Sequence, residues 1–159
     1  MPIRWNTTRA EIEQSMKLKP AINLWVEHLD DGLTGKKRNM AVRKKKKWCL
    51  SLLDWEFLGW YSDILEVFHT STLSLQKKGV PTICQTLPLY KQMEKHLKTH
   101  LKRVPKKWQV YGLTQALQAG LNKLQHHMAK ALKSDYPLLG GVLHPCIRVA
   151  YFKDQNLHQ

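Results

Sequence analysis

Lysine and arginine dominate the residues of this sequence that could do chemistry. Lys36, Lys37, Arg38, Arg43, Lys44, Lys45, Lys46 and Lys47 follow one another with only Asn39, Met40, Ala41 and Val42 between them. A second cluster, Lys98, Lys102, Arg103, Lys106 and Lys107, surrounds Pro105. Such side chains neutralise phosphate without reading base identity, so the chemistry they point to is a salt-dependent grip on nucleic acid. A basic run is equally compatible with nuclear import or with a merely solvated surface. Arg4 and Trp5 are the third candidate. An indole face stacks on any base for about 1 to 3 kcal/mol, and a neighbouring guanidinium can hold phosphate. Alternatively Trp5 is a hydrophobic staple in front of a helix capped by Thr8, packing on Ile12. Trp48, directly after Lys47, is a further candidate contact. Trp25, Trp55, Trp60 and Trp108 read as core or half-buried positions.

Metal and acid-base chemistry find less support. His96 and His100 have the four-residue spacing that puts two imidazoles on one helix face, but no third ligand stands at an obvious place, and adjacent His126 and His127 are no better. Cys49, Cys84 and Cys146 are odd in number and widely spaced, which supports neither a disulfide framework nor a zinc ribbon and fits a reducing compartment. Glu11, Glu13, Glu56, Asp63, Glu66 and Glu94 fall where amphipathic helices place solvent charge or caps. Asp30 and Asp31 lie in a turn. No metal-dependent nuclease site and no cofactor are expected from them.

The elements that must position these residues read as helices. Thr8 with Glu11 is a capping box for a first helix to about Lys19, and Pro20 opens a second carrying Ile22, Trp25, Val26 and Leu29. Charge this dense between Lys36 and Lys47 disfavours packing, so 34–48 is expected to be an exposed basic loop. Ser51 and Asp54 cap a long helix with Phe57, Leu58, Tyr61, Ile64, Leu65, Phe68, Thr72 and Leu75 on one face, stopped by Gly79 and Pro81. Thr82 and Gln85 suggest another box, before a stripe of Ile83, Leu87, Leu89, Tyr90, Met93 and Leu97 that Pro88 should kink near its start. A helix from Trp108 carries Tyr111, Ala116, Leu117, Leu121, Leu124, Met128, Ala131 and Leu132. Apolar, glycine-rich 138–143 predicts a short buried helix or turn. Arg148 to Phe152 is open between helix and strand. The expectation is an all-α irregular bundle of about five to seven helices, one domain over 1–152, and a frayed tail over 153–159.

The whole composition agrees with this. A chain of 159 residues with 43% hydrophobic side chains and six Trp can bury a core. A formal net charge of +14 favours polyanionic partners over neutral small substrates. No apolar run approaches the roughly 20 residues that span a bilayer, and no secretory signal is present at the start, so the chain reads as soluble, without a membrane partner.

Three ordered matches then carry a resemblance: Arg4 Trp5 Asn6 Thr7 Thr8; a Trp-led helix, the Val80 Pro81 Thr82 break and Leu87 Pro88 Leu89 Tyr90; and Leu143 His144 Pro145 with Tyr151 Phe152. Together they resemble the hAT family of DNA transposases, with His144 where the family more often has Asp. The resemblance implies a middle section of a longer family protein, namely the helical domain inserted into an RNase H-like transposase fold. In that family two catalytic Asp precede the Arg-Trp box and a Glu follows the Tyr-Phe box, so it also implies a segment without catalysis. It further implies DNA as partner, a role for Trp5 at the DNA end, a nuclear location, and either a domesticated piece or a remnant of a transposable element. A different expectation is an interaction module that forms a homo-oligomer or binds and inhibits an intact hAT-like transposase, using apolar surface such as Leu138 to Leu143.

Overall fold

A computed structural model of the chain describes residues 5–109, 111–145 and 147, with side chains from Thr7 onward. Every regular element among the described residues is helical: α1 Trp5–Lys17, α2 Lys19–Glu27, α3 Gly35–Trp48, α4 Leu52–Leu75, a 3-10 turn Ile83–Gln85, α5 Thr86–Lys102, α6 Lys106–Gln109, α7 Leu113–Leu132 and α8 Asp135–Leu143. The all-α class is as expected. The helix number exceeds expectation for two reasons. The basic segment is helical, and the helix expected from Trp108 is interrupted at Gly112, whose φ of 74° is a conformation a side chain would resist. Arg148 to Phe152 and the tail lie outside the described residues.

The single domain expected over 1–152 is organised as two compact units, Met1–Leu65 and Glu66–Gln159, with the boundary inside α4. In the first unit, α1 packs on α2 and α2 on α3. Its buried residues are Ile12, Val26, Ala41, Trp55 and Ile64. α1 already runs from Trp5, so Thr8 lies inside the helix and does not cap it. Pro20 occupies the first turn of α2, where its missing N–H costs nothing.

The expected loop over 34–48 is corrected to helix α3 across Gly35–Trp48. Lys and Arg are straight-chain side chains that lose little freedom in a helix, and on an exposed helix their charges fan out into water. Lys45, Lys46 and Lys47 stand in the last turn, where cations complement the helix dipole. α3 is exposed along its length except at buried Ala41 and half-buried Lys45.

α4 starts on the box read from the sequence. Both the amide and the hydroxyl of Ser51 donate to Asp54 Oδ2 at 2.8 Å, and the Asp54 amide donates to Ser51 Oγ at 3.2 Å. The Ser51 hydroxyl and amide hold the Asp54 carboxyl below the usual carboxylate range. α4 ends at Leu75, before the expected stop, and Gly79 takes a φ of 74° in the turn that follows.

The second unit is built on the pairing of α5 with α7, with α8 laid across the 3-10 turn. Leu87 and Leu97 on α5 and Leu113, Leu117, Leu121 and Leu124 on α7 are buried at helical spacing, with Trp108 from α6. Thr82 makes no capping bond and instead donates its hydroxyl to the Leu75 carbonyl at 3.2 Å. Pro88 sits in the first turn of α5, where it interrupts no helical bond. Gly140 lets α8 come close: a Cβ there would lie 3.0 Å from Ile83 Cγ2 and 3.2 Å from the Cys84 amide nitrogen.

Candidate nucleic-acid interface

Helix α3 has 14 residues, GKKRNMAVRKKKKW, of which eight are basic and none acidic. At 100° per residue these divide into two faces. Lys37, Ala41, Lys44 and Trp48 turn toward the α2 side. Lys36, Arg43, Lys46 and Lys47 occupy the opposite side, all exposed. From Lys36 to Lys47 that cationic face is about 17 Å long at 1.5 Å per residue. Arg38, also exposed, lies between the faces.

Lys45 is used differently from its neighbours. Its Nζ donates to the Glu27 carbonyl at 2.6 Å and to Asp30 Oδ1 at 2.8 Å, tying α3 to the end of α2. That hydrogen bond lowers the Asp30 pKa and raises that of Lys45. Among the described residues, no carboxylate pairs with Lys36, Lys37, Arg38, Arg43, Lys44, Lys46 or Lys47.

Trp25, expected at a core or half-buried position, is 58% exposed; it stacks on Trp48, 41% exposed, with ring centroids 5.7 Å apart and planes 15° from parallel. Val26, its neighbour on α2, takes the buried position instead. Trp55 and Trp108 are core residues as expected, and Trp60 is half-buried. The Lys44 ammonium lies 5.7 Å from the Trp48 ring centre. An open groove of about 400 Å³ runs beside the stack, lined by Leu33, Lys37, Met40 and Lys44 as well as the two indoles.

In the second unit, Lys102, Arg103, Lys106 and Lys107 are all exposed around Pro105. Lys107 Nζ lies 4.8 Å from the Trp108 ring centre. A groove of about 710 Å³ follows α5, where Lys91, Lys95, Lys98 and Lys102 succeed one another at steps of three and four. Lys91 and Lys95 were not singled out in the sequence, although the spacing was visible there.

Glu94 lines that groove too, and it corrects an expectation. Read as a solvent charge, it is 7% exposed, in the apolar stripe between Leu87 and Leu97. Burial alone would raise its pKa. Lys98 at 2.8 Å, the Gln125 amide at 2.9 Å and Lys91 at 3.4 Å more than offset this and hold it at about 2.

The His96 and His100 rings stand 4.3 Å apart, with His100 Nδ1 at 3.2 Å from the His96 carbonyl oxygen. Among the described residues no group of three or more His, Cys, Asp or Glu could hold a metal ion, and no helix is long and apolar enough to cross a membrane. Arg4 and the Trp5 side chain lie outside what is described, as do Tyr151 and Phe152. No family model, no curated protein and no solved structure matches the chain.

Proposed function

We propose that this chain is a non-catalytic DNA-binding segment of the hAT-like transposase type, holding phosphates through α3 and through the cluster around Pro105. The observation that carries the DNA reading is the α3 surface, a helix with exposed cations and no carboxylate of its own. Unpaired ammonium and guanidinium groups repel one another and gain most from a polyanion that replaces condensed counterions. Lys36, Arg43, Lys46 and Lys47 would follow a phosphate backbone, with Lys37, Arg38 and Lys44 beside them. Lys45 is committed to Asp30. Around Pro105, Lys102, Arg103, Lys106 and Lys107 would act in the same way. Contacts of this kind position DNA without specifying its sequence.

The transposase element of the proposal rests on the ordered motifs, including Arg4 and Trp5, and with it go a nuclear location and the absence of catalysis. Fluorescence anisotropy of the purified chain with duplex DNA at several salt concentrations tests the binding. A log-log plot of affinity against salt with a slope of about −3 or steeper supports several phosphate contacts. No binding at low salt refutes it.

A second reading has its own observation. Tyr136, Leu139 and Leu143 on α8 are 75%, 57% and 80% exposed, respectively, at steps of three and four. Such an apolar ridge suits an interaction module that dimerises or binds and inhibits an intact hAT-like transposase. Sizing that shows a salt-insensitive oligomer, disrupted by Leu139→Glu, distinguishes it from the first.

A further inference from the structure

We infer that the Trp25–Trp48 stack is a reading platform for an unpaired base of single-stranded DNA, with Lys37 and Lys44 holding the flanking phosphates. The inference rests on the nucleic-acid reading of α3 and adds to it a substrate form and a site on the helix's other face. Two indoles packed nearly parallel and left about half exposed are not core. Their aromatic surface faces a groove whose other walls are apolar or cationic, through Leu33, Met40, Lys37 and Lys44. No carboxylate is among the described residues lining it. A flat apolar face bordered by ammonium groups complements a nucleobase carried on phosphates, since every base presents a π-face and an anionic link on each side.

Duplex DNA cannot use this platform, because its bases are already stacked and paired. The site therefore separates two strand forms that the phosphate-holding face of α3 treats alike. Lys44, over the Trp48 ring, need move only its flexible stem to let a base slide onto the indole and then meet the adjoining phosphate.

The test uses the full chain and three probes: a single-stranded thymidine 12-mer, the same strand with abasic residues at its centre, and a duplex of equal length. The single strand is expected to bind about tenfold more tightly than the abasic strand, at equal phosphate number. Trp48→Ala and Trp25→Ala should each erase that difference and leave duplex affinity unchanged, with Trp48→Phe restoring most of it. Circular dichroism confirms that the variants keep their helix content. Duplex binding together with equal affinity for the normal and abasic strands overturns the platform and leaves the phosphate reading standing. Loss of binding to every probe overturns both. Self-association of the wild type that disappears in Trp25→Ala assigns the groove to a second copy of the chain and also overturns the inference.

Discussion

Replacing Glu94 with Gln removes a charge from the interior of the second unit without changing its shape. In the folded chain this carboxylate is nearly buried, held by Lys98 at 2.8 Å and Lys91 at 3.4 Å on its own helix and by Gln125 at 2.9 Å from α7. Its pKa is lowered from 4.5 to about 2. A folded pKa below the unfolded one means the ionised form stabilises the fold. The contribution is complete above about pH 5 and is lost as pH falls from 4.5 toward 2. Each factor of ten in proton affinity is worth about 1.4 kcal/mol, which sets an upper bound of about 3.5 kcal/mol. The Lys98 side chain is 51% exposed, so water screens its share, and about 1 to 3 kcal/mol is the expected loss. Urea unfolding of both proteins, followed by circular dichroism, should show Glu94→Gln less stable by this amount at pH 7 and equal to wild type near pH 2. General acid destabilisation affects both chains and cancels in the difference. Equal stability at pH 7, or a gap that persists at pH 2, would refute this account of the α5–α7 contact.

Other substitutions test the packing. Leu87→Ala, at a position 1% exposed, should cost about 2 to 5 kcal/mol in the same urea assay. Gly140 and Gly120 should respond in opposite directions to valine and alanine, respectively. Gly140→Val drives side-chain atoms against Ile83 and the Cys84 backbone and should cost about 1 to 3 kcal/mol. Gly120→Ala, on α7 with nothing within 4 Å of the added Cβ, should raise stability by about 0.5 to 1 kcal/mol. Ser51→Ala should shorten or fray the start of α4, seen as faster amide exchange from Leu52 to Glu56.

Some features that depend on local chemistry were legible in the sequence, although the boxes at Thr8 and Thr82 do not form, because α1 already runs from Trp5 and the Thr82 hydroxyl is drawn to the Leu75 carbonyl. The Ser51–Asp54 box, the turn at Gly79 and the Leu117, Leu121 and Leu124 stripe follow from neighbours a few residues away, and the structure has all three. What tertiary context decides was not legible. The sequence pattern of α4 runs through Phe57, Leu58, Tyr61, Ile64, Leu65, Phe68, Thr72 and Leu75; Ile64 is buried as that pattern expects, whereas the other buried residues of the helix, Trp55, Val67 and Ser71, lie off it. A 24-residue helix that is apolar around much of its surface does not announce which side is covered. Glu94 reads as a solvent charge in its local pattern, because its partner Gln125 is 31 residues away. In α3, like-charge repulsion argues for a loop, but an exposed helix separates its charges in water and anchors one of them, Lys45, on Asp30. A loop would not assemble this part of the candidate site, since only a helix brings Lys37, Lys44 and Trp48 to one face and sets Trp48 against Trp25.

Removing the exposed cations of α3 tests its proposed grip on DNA most directly. Duplex affinity is measured from low to physiological salt for the wild type and for a variant with Lys36, Arg43, Lys46 and Lys47 all changed to Gln. Each phosphate contact contributes about 0.9 to the slope of log affinity against log salt, so the variant's slope should be shallower by about 2 to 4. Its helix content should be unchanged, because Gln is a comparable helix former. A variant that binds with the same slope as the wild type would contradict the account.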